Sequence, residues 1–342
     1  MSHPEIVDTV VTLAHGAGGR KMRKLIEHLF LNKLSNEILC QLGDSAVLDL
    51  YPERKTAFTT DSYVVKPLFF PGGDIGRLAV CGTVNDLAMA GAVPLFLSLS
   101  MIIEEGFPMS ELEEIVGSIQ AAAAEANVQI VTGDTKVVEK GAADGIFINT
   151  SGVGTFTEEA IPAPRRVEMG DAVIVNGFLG DHGVSILHAR GDYDFHVDIA
   201  SDVAPLSGMI GTLSAYAPDI HFMRDLTRGG LAAGLNELAV SAGKAIEIEE
   251  DSVPIREEVL AVCNLLGLDP YHIANEAKCI IVCSPGTVEQ VLEAVRRHPY
   301  GTDACRIGTI VPQENPLVVG RTALNARRVI GMPSGRLLPR IC

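Results

Sequence analysis

Four aspartates in this chain sit where an unpaired carboxylate is expensive. Asp44 opens the apolar run Leu42–Leu48, Asp61 ends Phe58–Thr60, Asp86 lies inside the helical stretch Cys81–Ala88, and Asp134 follows Ile130–Thr132. A buried, unpaired carboxylate costs on the order of several kcal/mol, so it needs a cation or strong donors. Several such acids at strand ends point to a shared cation. Magnesium suits them, being a hard ion held by carboxylates together with substrate phosphates. The alternative is that each is a turn or cap aspartate bonded to its own backbone.

Other groups extend this chemistry. In Ile273-Ala274-Asn275-Glu276-Ala277-Lys278 a carboxylate stands just before an apolar strand, as a general base or as a surface strand end. Lys136, two residues past Asp134, is either a phosphate partner or a solvated lysine. Three glycine-bearing turns precede expected helices, at Gly16–Gly19, Gly180–Gly183 and Asp225–Leu231. Bare glycine backbone at a helix N-terminus is a site for anions, although glycine also punctuates ordinary turns. His15 and His182 stand out only because glycines flank them. The last residue, Cys342, is carried on a segment from Met332 with neither the length nor the periodicity of a packed element. Such an arm spans at most roughly 36 Å at about 3.3 Å per residue. It reads as a mobile arm able to bring a covalently bound group into a distant site, or as a solvated free thiol.

Composition narrows the field. The chain has 342 residues, long enough for two domains, with 47% apolar residues, 34 glycines and no tryptophan, which suits an α/β or α+β enzyme. With 27 basic and 43 acidic residues the net charge is −16, and no Lys/Arg cluster suggests a nucleic-acid groove. Asn85, Asp86 and Pro94 interrupt the most apolar stretch, Leu78 to Ile103, so no membrane span is expected. Met1–Glu5 lacks the pattern of a signal peptide, and a cytoplasmic protein is the expectation. The single Gly-Lys pair, Gly243-Lys244, lacks the rest of a phosphate-loop motif. Seven cysteines without a C-x-x-C pair favour neither a disulfide framework nor zinc. All but Cys342 lie in apolar surroundings, and most of them read as small core residues.

To position these groups, the pattern predicts a helix over Met22–Leu34 and strands over Ala46–Leu50, Thr56–Thr60, Leu95–Ile103, Val128–Thr132 and Gly145–Phe156. Helices Ile75–Ala90, capped by Asp74 and stopped by Gly91, and Ser110–Ala126 complete a first half. Ala163–Arg166 reads as a linker. The second half has strands at Ala172–Asn176, Ala245–Glu249, Lys278–Cys283 and Ile307–Val311, and helices at Val184–Arg190, Leu231–Ser241, Glu257–Leu266 and Val288–His298. The implied domains are a lead (1–40), an α/β domain (41–160), a second α/β domain (161–331) and a tail (332–342).

Thr60-Asp61-Ser62, Asn85-Asp86, Gly133-Asp134-Thr135-Lys136 and Thr227-Arg228-Gly229-Gly230 together resemble the PurM-like superfamily of ATP-using enzymes. Within it, His15–Gly19, Phe69-Phe70-Pro71-Gly72-Gly73, Ala274-Asn275-Glu276 and Pro339-Arg340-Ile341-Cys342 resemble the hydrogenase-maturation family HypE. That resemblance implies a two-domain fold, a homodimer joined through N-terminal sheets, and ATP with Mg2+ bound between domains. It implies that a HypF-type carbamoyltransferase carbamoylates Cys342, that ATP-dependent dehydration yields a thiocyanate, and that a HypC–HypD complex accepts the cyanide. It also assigns Asp44, Asp61, Asp86 and Asp134 to magnesium and ATP phosphates, with Asn85, Thr135, Gly229 and Gly230 beside them. Lys136 steadies phosphate charge and Glu276 is the base. Two departures stand out. Ala277 replaces a usual glycine, implying strain if the backbone there has positive φ, and Ser45 replaces a frequent second aspartate. The alternatives are a superfamily enzyme phosphorylating a free small molecule, of the selenophosphate synthetase or thiamine-monophosphate kinase type, and a non-catalytic assembly protein.

Overall fold

The computed structural model describes residues 12–16, 19–34, 36–51, 54–191, 193, 197–313 and 315–333. Ala17, Gly18 and Cys342 therefore lie outside the described residues.

Helical segments α1 (Arg20–Leu25) and α2 (Leu31–Leu34), joined by a wider turn at Ile26–Phe30, lead into the first sheet. Its strands are β1 (Ala46–Tyr51) and β2 (Arg54–Tyr63), then, beyond a small ladder of β3 (Phe69–Phe70) with β4 (Gly73–Asp74), β5 (Val93–Glu104), β6 (Gln129–Val138) and β7 (Ile146–Thr155). Their order is β1-β2-β7-β5-β6, with β6 at an edge and parallel to β5. Strand β7 alternates strictly between buried and half-buried residues, as period-2 side chains over one packed face require.

The packed face carries α3 (Ile75–Met89) and α4 (Met109–Glu125). The Asp74 carboxylate accepts the amides of Gly76 at 2.6 Å and Arg77 at 3.0 Å. A cap of this kind is worth about 1 kcal/mol, and it starts α3 at the expected residue. Apolar nearly all round, α3 is buried between the first sheet, α4 and the second domain. This burial leaves Asp86 only partly exposed, towards the second domain. The opposite face of the sheet is open, with Phe58, Phe96 and Ile102 exposed on it.

The second domain contains β8 (Ala172–Val175), α5 (Asp181–Arg190), α6 (Ser207–Gly211), β9 (Ile220–Asp225), α7 (Gly230–Ala242), β10 (Ala245–Glu249), α8 (Glu257–Leu266), β11 (Cys279–Cys283), α9 (Val288–Arg296), β12 (Cys305–Val311), β13 (Val318–Arg321) and β14 (Arg327–Val329). The strands order as β14-β13-β10-β12-β8-β11-β9. Leu231, Leu235 and Leu238 of α7 fill one face against Val173, Ile246 and Ile280. On the other face Val291 and Val295 of α9, with Met209 of α6, meet Ile174 and Ile281 and continue into Ala88 and Met89 of α3. One core thus runs across both domains.

Several expectations are corrected. Strand β6 continues through Asp134 and Lys136 to Val138, so Asp134 lies within a strand. Strands β9, β13 and β14 went unassigned, and α5 begins three residues early. Residues 163–166 form a turn pinned by Arg166, whose guanidinium donates to the carbonyls of Pro218 at 2.6 Å and Ile220 at 2.8 Å. Cys40 is exposed; Cys81, Cys263, Cys279 and Cys283 are buried. Burial pushes the thiols of Cys279 and Cys283 up to about 12, which makes them inert packing groups.

Candidate active site

A cleft of about 960 Å3 opens between the domains. Asp44, from the turn before β1, Asp61 of β2 and Asp86 of α3 line it together with Asp225 at the end of β9 and Glu276 before β11. Two buried threads hold the wall in place. The Thr59 hydroxyl lies 2.9 Å from Asp86 Oδ2 and 3.0 Å from the Asp44 carbonyl. Ser45 Oγ donates to the Asp86 carbonyl at 3.0 Å. Ser45 thus ties α3 to the turn before β1.

Negative charge is in excess here. Arg224 spans Asp44 Oδ1 at 3.0 Å and Glu237 Oε2 at 2.9 Å, and Arg228 approaches Asp61 Oδ1 at 3.8 Å. Arg23 also lines the cleft but pairs with Glu27 at 2.9 Å, and three guanidiniums do not balance six carboxylates. Burial, then Asp225, Asp44 and Asp61, hold the Asp86 carboxyl well above the usual range. Asp225 is pushed up to about 7 by burial and then by Asp44. Asp44 is raised by burial despite Arg224. Such a wall takes up protons or metal cations. Among the described residues no three carboxylates, imidazoles or thiols converge into a ready-made metal cage. That suits magnesium, which takes one or two carboxylates and completes its shell with waters and phosphate oxygens.

Glu276 is the most enclosed of these acids, at 4% exposure. Burial first, then Asp202, Asp225 and Asp61, raise its carboxyl well above the ordinary glutamate range. Its backbone is clamped. The amides of Glu276 and Ala277 donate to the two Asp202 oxygens at 3.1 and 3.2 Å, Lys278 Nζ reaches Asp202 at 3.0 Å, and Asn85 Nδ2 donates to the Glu276 carbonyl at 3.0 Å. Ala277 does not have positive φ, so the strain expected there is absent.

The structure therefore brings Asp44, Asp61, Asp86 and Glu276 together, and Gly230 with them. It does not bring Asp134, Thr135 or Lys136 to the cleft of this chain. They lie on the exposed edge strand β6, where Lys136 pairs with Asp134 at 3.1 Å, both well exposed. Asn85 is a buried strut: besides Glu276 it bonds the Ala204 carbonyl at 3.1 Å and the Leu206 amide at 2.7 Å. Gly229 is a helix cap of α7 at φ +80° and does not line the cleft. The turn Gly180–Gly183 spends two amides on protein, Gly180 on Asn275 Oδ1 at 2.7 Å and Gly183 on the Ala274 carbonyl at 3.1 Å. It supports the Glu276 segment and leaves little for phosphate. His15 bonds Thr12. Sequence reasoning missed Asp225, Arg224 and Glu237. Asp225 follows Ile220-His221-Phe222-Met223-Arg224, where His221 and Arg224 break the apolar pattern that makes Asp61 stand out.

The sequence matches the family described as AIR synthase related protein, N-terminal domain, over residues 42–156, and its C-terminal domain over residues 168–320. The carbamoyl dehydratase HypE of Azotobacter vinelandii is 47% identical over 342 residues, covering 100% of both chains. A crystal structure of a HypE–HypF complex superposes with TM-score 0.86 at 46% identity, covering 90% of this chain and 99% of that one. The hydrogenase maturation protein HypE in complex with ATP superposes with TM-score 0.81 at 45% identity, covering 97% and 100%. Full-length identity of this order, on the same pair of domains, makes this chain a member of the HypE family of carbamoyl dehydratases.

Proposed function

We propose that the cleft binds ATP with magnesium and dehydrates a carbamoyl group carried on Cys342 to a thiocyanate, supplying cyanide for the iron centre of [NiFe]-hydrogenase. The observation that carries this reading is Glu276, a buried carboxylate on a clamped backbone, opening onto a wall of acids short of cations.

An amide oxygen is a poor leaving group. Transfer of the γ-phosphoryl group to the carbamoyl oxygen makes it a good one, and loss of both nitrogen protons lets phosphate depart as the nitrile forms. Glu276 takes those protons one at a time, releasing the first to water before accepting the second: burial makes its carboxylate more basic than an exposed one, and Asp202 fixes its backbone. Asp44, Asp61, Asp86 and Asp225 are the carboxylates from which magnesium would draw one or two ligands beside phosphate oxygens, and it would supply neutralisation of phosphate charge there. Arg224 keeps Asp44 in place. A carbamoyltransferase of the HypF type loads Cys342, and a HypC–HypD complex takes the cyanide.

The open face of the first sheet joins a second copy in this proposal. Phe58, Phe96 and Ile102 leave it apolar and exposed, and burial of such a patch is the usual drive for pairing. Asp134 and Lys136 stand on β6 opposite Ser100 and Ile102, so Lys136 enters the site through that pairing. Sedimentation is expected to give twice the 36.3 kDa chain mass; a monomer at micromolar concentrations rules the pairing out.

Cys342→Ala tests the reading against a superfamily enzyme acting on a free small molecule. With carbamoyl donor and HypF-type partner present, substrate-dependent phosphate release is expected to fall to background while ATP binding is unchanged. Unaltered release would transfer the activity to a free substrate.

A further inference from the structure

His182 has no place in the chemistry above, yet it is completely buried beside the base, and its Nε2 has no hydrogen-bond partner. That nitrogen lies 3.8 Å from Glu276 Oε1. Much of the surrounding sequence serves to hold this ring. The Phe70 ring meets it edge-on with centroids 5.6 Å apart. Ser201 Oγ lies 2.7 Å from Nδ1. Ser201 is itself held, its amide donating to the Pro71 carbonyl at 2.7 Å. Gly72, at φ +92°, sits so close that a Cβ there would lie 2.6 Å from the Ser201 carbonyl oxygen. The Phe-Phe-Pro-Gly-Gly motif is thus the seat of the Ser201–Asp202 segment, which grips His182 through one residue and Glu276 through the next.

The hydrogen-bond pattern favours one tautomer. The Val203 amide donates to Ser201 Oγ at 3.1 Å, and Nδ1 is the acceptor within reach of the serine proton. The hydrogen of the neutral ring is then on Nε2, facing Glu276.

Resting on the assignment of Glu276 as base, we propose that His182 is its positioning residue: the Nε2–H hydrogen-bonds the ionised Glu276 carboxylate and holds it ready to accept a proton. A movement of under about 1 Å closes the gap to hydrogen-bond length, and such bonds often tighten only when substrate is in place. Burial lowers the His182 ring to about 4, so it stays a neutral donor at working pH; besides Glu276, Asp202 acts to raise it and Arg190 to lower it. Asp202, Asp225, Asp61 and Arg228 act on Glu276, with Lys278 behind Asp202.

The test is the pH profile of thiocyanate formation on full-length carbamoylated protein. His182→Phe loses the donor and is expected to move the acid limb of kcat up by about one pH unit, about tenfold slower below it, and to converge with wild type at high pH. His182→Gln restores an N–H donor and is expected to keep the limb within about half a pH unit. The KM for ATP stays within about twofold in both. Ser201→Ala, which leaves the ring in place, moves the limb in the same direction as His182→Phe, and its answer stands even if the phenylalanine variant does not fold. An unmoved limb in Ser201→Ala or in folded His182→Phe, or a glutamine variant displaced as far as phenylalanine, overturns the proposal. Glu276→Gln separates the two readings. If it keeps the wild-type rate, the base assignment falls; if it is inactive while the His182 limb stays put, only this inference falls.

Discussion

Glu276→Gln is expected to bind ATP as wild type does and to form thiocyanate about 10³-fold more slowly, within the range for loss of a positioned general base. The substitution keeps the volume of the side chain and both clamps on its backbone, since Asp202 and Asn85 bond main-chain atoms. What disappears is the proton acceptor. The wild-type rate also carries a signature of burial: because the carboxyl is held well above the usual range, activity rises with pH through a limb above the ordinary glutamate value. Single-turnover kinetics with carbamoylated protein check both points. An unchanged rate removes Glu276 from the mechanism.

Asp225→Asn is expected to weaken Mg-ATP binding by at least about 10²-fold, in line with loss of a ligating carboxylate, and yet to stabilise the metal-free protein at pH 7.5. The two effects have one cause. An acid whose carboxyl is raised in the folded state binds more protons folded than unfolded, so stability is full below the unfolded value near 4 and falls as pH rises towards the folded value of about 7. A tenfold difference in proton affinity between the folded and unfolded chain is worth about 1.4 kcal/mol, and Asp86 and Asp44 are raised in the same direction. Melting curves of metal-free wild type should therefore drop between pH 5 and pH 7.5, with roughly this linkage sign. Magnesium with ATP should restore more at the higher pH, and asparagine at 225 should flatten the difference. A wild-type melt that rises over that interval contradicts the electrostatic description of the wall.

Where an acid interrupts an apolar run, its neighbours make it legible: Asp44, Asp61, Asp86 and Glu276 stand out that way, and so does the Asp74 cap. Asp134 carries the same local signal yet stands outside the cleft of its own chain, because β6 is an edge strand open to solvent, and edge position is a matter of topology. The reverse holds at Asp225. His221 and Arg224 break the apolar run and hide β9, although His221 is buried against Asp171 at 2.7 Å and Arg224 is spent on two carboxylates. His182 shows the same limit. Flanking glycines suggest an anion site, whereas its real neighbours, Ser201 and Glu276, are 19 and 94 positions away. Contacts across such separations are set by how two sheets pack around α3, which no local pattern records.

The most direct test of the whole account is the mass of the C-terminal peptide from carbamoylated protein incubated with Mg-ATP. The account predicts loss of one water, about 18 Da, from the peptide containing Cys342, with ATP consumed in step, as expected for phosphoryl activation of an amide oxygen. A peptide that keeps its carbamoyl mass while ATP is turned over contradicts it.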